Sequence, residues 1–220
     1  LDPKVVPLVA ALDGALMTGL PAHITAATGM DALTHAVEAY ISANAIPETD
    51  ANALAAIRLI MENLPICVKD GGNLVARQNM AQASYYAGLA FTKAGVGYVH
   101  AIAHNFGALY HTPHGLANAI VLPHILDYSK SVSIDRLAKL AVVSGLKTGN
   151  ESNEVLAQKF IDHVRAMKVA FVIPESLAAL KSDDIPAIAR AALKEAHFTY
   201  AVPRYMNQRT CEDIIAKMVA

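Results

Sequence analysis

The segment GYVHAIAHNFGALYHTPHG, residues 97–115, carries His100, His104, His111 and His114, four of the nine histidines in a chain of 220 residues. A second segment, TGMDALTHAVEAY at 28–40, sets Asp31 and His35 four residues apart, and on a helix that spacing stacks two side chains on one face. His100 and His104 repeat the spacing, and His114 follows Pro113 at the mouth of a further helical stretch. A carboxylate with neutral imidazoles is the ligand set of a borderline divalent ion, chiefly zinc or ferrous iron, because hard ions such as calcium favour oxygen-only cages. The same residues have a plainer use. Asp31 can serve as a carboxylate near a helix N-terminus, and His35 and His104 can be ordinary half-buried imidazoles. His111 shares the cluster but stands in a loop, which ranks it below His104. His23, His124, His163 and His197 read as surface or capping residues.

Other chemistries find little support. The chain has no HExxH, Walker A, GxSxG or GxGxxG motif. GVGYVH at 95–100 begins like the last of these, but His100 stands where the third Gly belongs, and a helix rather than a strand precedes it.

Holding ligands from separate segments on one point requires rigid elements. Apolar residues recur at three- and four-residue spacing over 28–43, 50–64, 74–92, 98–110, 115–128, 133–144, 152–168 and 183–196, which predicts helices. Pro-, Gly- and Asn-bearing stretches such as NAIPETD, KDGGN, HTPHG and LKTGNESN punctuate them. Only VAFVIP at 169–174 alternates weakly like a strand. The expected fold is therefore all-α, a multi-helix bundle-like domain over residues 1–220, with alanine-rich faces that allow close helix approach.

Composition narrows the partners. Eighteen basic and nineteen acidic residues give a net charge near zero, which offers no electrostatic footprint for nucleic acid or an anionic membrane. No apolar run of bilayer-spanning length is expected, nor a signal peptide. Cys67 and Cys211 stand far apart without a CxxC pattern, so a reduced, cytoplasmic setting is expected. The apolar share of 54% against 17% charged residues suggests surface destined for burial against another domain or a second copy as a homodimer. The opening residues LDPKVVPLVAALDG lack a Met, and we expect them to be an internal part of a longer polypeptide or a trimmed chain.

Asp31-x3-His35, then His100 after 64 intervening residues and His114 after 13 more, within GMDALTHAVEAY and GYVHAIAHNFGALYHTPHG, resembles the iron-containing (group III) alcohol dehydrogenases. The similarity runs from LPAHITAATGMDAL to VPRYMNQRTCEDII. The resemblance implies the C-terminal helical domain of the dehydroquinate synthase-like fold, with the N-terminal α/β dinucleotide-binding domain absent from this chain. Carried over residue by residue, it implies Asp31, His35, His100 and His114 as ligands to Fe2+, with Zn2+ possible. It also implies His104 as a histidine close to metal and nicotinamide, placed to accept or relay the alcohol proton, and Phe91 as an aromatic residue of the substrate channel. NAD or NADP would be bound mainly by the absent domain, and the substrates implied are small alcohols, diols and their aldehydes. The implied reaction passes a hydride from the alcohol carbon to the nicotinamide while the metal acts as a Lewis acid on the alcohol oxygen. TYAVPR at 199–204 departs from the family, which often reads something like GNPR there, so no pocket role is carried over to Phe198 or Thr199. Two rivals stand beside this reading: a metal-dependent hydrolase with Glu38 as its base, and a non-catalytic helical metal-binding module.

Overall fold

The computed structural model describes Lys4 and residues 7–220. Nine α-helices are found among the described residues: α1 Ala22–Ile41, α2 Pro47–Lys69, α3 Leu74–Ala94, α4 Tyr98–Tyr110, α5 His114–Ser129, α6 Ile134–Val143, α7 Asn153–Ala170, α8 Ile185–Thr199 and α9 Gln208–Ala216. No strand occurs among them, and one isolated parallel bridge joins Leu177 to Val219. The all-α expectation therefore holds. The VAFVIP stretch is the end of α7 and a turn in which Val172 takes a left-handed φ of 57°.

Eight helices coincide with the predicted segments within a few residues, and α9 is additional. Two bounds differ by more, the start of α1 and the end of α2, each for a local reason. Helix α1 opens at Ala22 behind Pro21, whose fixed φ and missing N–H suit the entry to a helix. Helix α2 runs through Pro65, which withdraws one N–H from the helix interior while flanking residues pack against α1 and α3. By length and composition, α2 is apolar enough to cross a bilayer, an exception to the expectation of no such run. Its buried residues Ala53, Ile57, Ile60 and Leu64 are core against α1 and α3.

Helix α1 is the axis of the bundle. It packs against α2, α3 and α5, while α4 packs against α5 and α8. Small residues set the spacing: Ala32, Ala36 and Ala39 on α1, Ala53 and Ala56 on α2, and Ala83, Ala87 and Ala90 on α3 are all buried. The closest approach lies at the start of α5. A Cβ on Gly115 would stand 2.5 Å from the Ala27 carbonyl oxygen, and backbone cannot yield as a flexible side chain can. Backbone contact between α5 and α1 thus fixes His114 relative to Asp31, one turn along α1 from Ala27. The reversal from α4 into α5 turns on His111, which takes a left-handed φ of 55° and donates its backbone N–H to the Gly107 carbonyl at 3.0 Å. His111 shapes the turn, and it is not among the four residues whose ligand atoms converge.

Gly115→Ala is expected to cost about 1–3 kcal/mol of stability by forcing α5 away from α1, and to weaken divalent-ion binding by displacing His114. Urea unfolding and zinc titration check both, and a variant as stable as the wild type would contradict the close approach.

Candidate metal centre

Asp31 and His35 project from α1, His100 from the first turn of α4, and His114 from the first residue of α5. One ligand atom from each of the four lies within 4.8 Å of all the others. The Asp31 Oδ1 atom is 3.9 Å from His100 Nε2 and 3.6 Å from His114 Nε2. His35 stacks between two rings, 4.4 Å from Phe91 and 4.5 Å from His100 by centroid.

Glu38, one turn after His35, sets the orientation of His100. It is buried and accepts the Nδ1–H of His100 at 2.7 Å, the Gly97 N–H at 2.8 Å and the Val99 N–H at 2.8 Å. A carboxylate at the amino end of α4 is favoured by the unpaired N–H groups and the helix dipole there. Protonation of His100 at Nδ1 turns the Nε2 lone pair toward Asp31 and His114, the carboxylate–histidine arrangement that supports metal ligands. Gly97 admits the carboxylate, because a Cβ there would meet Glu38 Oε1 at 2.7 Å. With its oxygens engaged in this way, Glu38 does not face the ligand cluster as a hydrolytic base would.

Burial pushes the His35 imidazole down to about 4, against the opposing pull of Asp31, and burial lowers His114 in the same sense. Both rings are neutral at pH 7, so each keeps a lone pair that an ion could take. Asn118 gives an independent sign that the cluster suits a cation. Its buried side-chain NH2 faces Asp31, His100 and His114 together, while its Oδ1 accepts no hydrogen bond. Three acceptors converging on one positively polarised group are the donor set of a divalent ion.

The cluster opens on a cavity of about 470 Å³ whose walls include His35, Phe91, His100, His104, His114 and Tyr200. His104 lies beyond the ligand group, its ring stacked on His114 at 5.4 Å. Its Nδ1–H donates to Glu195 Oε1 at 2.7 Å, and the same oxygen accepts the Tyr200 hydroxyl at 2.5 Å. This leaves the His104 Nε2 lone pair as the free basic atom of the ring. Burial and the bond to Glu195 hold the Tyr200 phenol well above its usual range, so it stays a donor. The departing stretch at 199–204 forms part of this wall: Thr199, Tyr200 and Ala201 line the cavity, and the Ala201 carbonyl accepts from Ala43 N at 2.8 Å and Ser42 Oγ at 3.1 Å. Phe198 points outward, 87% exposed.

The remaining histidines stay apart from the cluster. His23 is exposed, burial lowers the basicity of His124 and His163, and His197 bonds the Tyr98 hydroxyl at 2.8 Å, a packing role rather than the surface or capping one expected. Sequence reasoning missed Asn118, Glu195, Tyr200 and the true partner of Glu38. Asn118 was legible, being four residues after His114, and so was the place of Glu38 on the Asp31, His35 face of α1, though not its partners.

Neutral, partly desolvated imidazoles have a pH signature. The folded-state pKa of His35 lies below its unfolded value of 6.5, so the unfolded chain binds the extra proton between the two. In chelator, stability is expected to be full above pH 6.5 and to fall as pH drops toward 4. His114, His124 and His163 act in the same direction. Thermal midpoints across this window test the sign, and His35→Asn should flatten the slope; a midpoint that rises on acidification would refute it.

Comparison with known proteins accords with this geometry. A family profile described as Fe-containing alcohol dehydrogenase family, C-terminal, matches residues 25–219. The chain is 46% identical over 210 residues to the 1,3-propanediol dehydrogenase of Citrobacter freundii, covering 94% of this chain and 54% of that protein. It is 37% identical over 217 residues to the NAD-dependent methanol dehydrogenase of Bacillus methanolicus, covering 98% and 57%. The solved alcohol dehydrogenase from Oenococcus oeni superposes with a TM-score of 0.92 at 36% identity, over 97% of this chain and 56% of that one. The chain thus spans about half the length of the curated relatives it matches. It belongs to the Fe-containing alcohol dehydrogenase family, an oxidoreductase family whose C-terminal, all-helical part it represents.

Proposed function

We propose that this chain is the metal-binding half of an NAD(P)-linked alcohol dehydrogenase that interconverts small primary alcohols or diols and their aldehydes. The observation that carries the reading is the set of four ligand atoms within 4.8 Å of one another, opening on a cavity that His104 also lines. The propanediol and methanol named for two relatives support the substrate class, and the half-length coverage supports a dinucleotide-binding domain on the remaining polypeptide.

Asp31, His35, His100 and His114 would hold the ion, Fe2+ or Zn2+, through one oxygen and three imidazole nitrogens. When bound, the metal supplies Lewis-acid polarisation of the alcohol or aldehyde oxygen, and the dinucleotide supplies the hydride acceptor or donor. The chain's own residues do the rest. Phe91 and the 199–201 segment wall the cavity and orient the substrate carbon. His104 Nε2 takes the hydroxyl proton or returns it, while Glu195 holds the Nδ1–H and stabilises the charged ring.

Two rivals fare less well. Hydrolysis needs a base facing the ligands, and Glu38 is engaged with His100 and the start of α4. A structural metal sits in a closed shell, whereas His35, His100 and His114 all border the cavity.

Zinc or ferrous iron titrated into chelator-stripped chain is expected to bind one ion and raise the thermal midpoint, and Asp31→Asn or His100→Ala to abolish the rise. A wild type that binds neither metal overturns the reading. His104→Ala should keep full metal stoichiometry; loss of the ion in that variant would make His104 a ligand. The 220-residue chain alone is expected to turn over alcohol and NAD or NADP far below ordinary enzyme rates, about 1–1,000 per second, and full activity would show that no second domain is needed.

A further inference from the structure

Asn118 has no part in the proposed ligand set, yet it is the closest polar group to it. It lies on α5 one turn after His114 and is fully buried. Its Nδ2 is 2.5 Å from Asp31 Oδ1, 3.0 Å from His114 Nε2 and 3.3 Å from His100 Nε2. Its Oδ1 is buried without a hydrogen-bond partner, and leaving an acceptor unsatisfied in this way is costly. The reverse orientation would be worse. It would press a carbonyl oxygen against a carboxylate oxygen and the lone pair that Glu38 directs from His100. The amide orientation is therefore selected by the ligands' own lone pairs.

We propose that Asn118 is a positioning residue of the cation site: its NH2 holds Asp31, His100 and His114 together through the lone pairs that a divalent ion takes, so amide and ion compete. The inference rests on the divalent-ion reading above. It gives the amide two linked effects. Mutual repulsion of the lone pairs is relieved in the metal-free protein, which keeps the three elements in register. The ion must in turn displace those hydrogen bonds, which lowers affinity by the same interaction free energy.

Asn118→Leu keeps the side chain's size and removes its N–H groups, and Asn118→Ala is the second variant. The thermal midpoint in chelator is expected to fall, while zinc, measured by competition with a chromophoric chelator, binds about tenfold more tightly, as the loss of one or two competing hydrogen bonds implies. A residue with a purely structural role would weaken both, so unchanged or reduced zinc affinity overturns the proposal. Should neither variant fold, NMR of the wild-type side-chain amides during zinc titration decides: the Asn118 amide protons must lose their hydrogen-bonded shift as the ion binds, and unmoved resonances overturn it. A wild type that takes up neither zinc nor ferrous iron sinks the metal reading and this inference together. A wild type that binds normally, with variants of unaltered affinity, sinks this inference alone.

Discussion

The Glu38 carboxylate is almost completely withdrawn from water, and it lies between the helix that carries Asp31 and His35 and the helix that carries His100. Burying a charge there is tolerable only because His100 Nδ1–H and the N–H groups of Gly97 and Val99 replace the lost hydration. One ion-like anchor therefore joins α1 to α4, fills the open amino end of α4 and fixes the tautomer of His100. The arrangement also explains a glycine where α4 begins: no side chain fits between that backbone and the carboxylate.

Around this anchor the molecule divides into two chemical environments. On one side the rings of His35 and His100 are stacked and largely dry, and the lowered basicity of His35 keeps it available as a lone-pair donor. On the other, His104 is half exposed and tied through Glu195 to Tyr200, a short polar chain along the cavity wall. An ion would draw its buried ligands from the first environment, while His114 is as exposed as His104 and borders the cavity. Proton movement favours the second, where a charged imidazole can be solvated and paired. Neighbouring turns of α4 supply both, because His100 and His104 are four residues apart yet differ sharply in burial.

Helix periodicity made most of the fold readable, since α4 and α5 carry their apolar faces and their breakers in the same short stretches as their histidines. Helix α9 was not, because QRTCEDIIA is polar on most of its circumference and buries only Cys211, Ile214 and Ile215. The ligand cluster was legible in spacing, but its supports were legible unevenly. Glu38 lies on the same face of α1 as Asp31 and His35, yet its partners are backbone N–H groups 59 and 61 residues away, which no local pattern reveals. Glu195 meets His104 across 91 residues, and Tyr200 belongs to the segment that departs from the family pattern, so packing alone brings them together.

Distribution of the four ligand groups over α1, α4 and α5 has an energetic consequence. In the unfolded chain 64 residues separate the Asp31, His35 pair from His100 and 13 more separate His100 from His114, so an ion would gain all four together only when the three helices are docked. Binding free energy then becomes folding free energy for the centre of the bundle. The close backbone approach at Gly115 and the Glu38 anchor set the helix spacing before any ion is present. An ion bound there would accordingly act on a scaffold whose geometry is already decided, and its affinity would measure how little that scaffold must move.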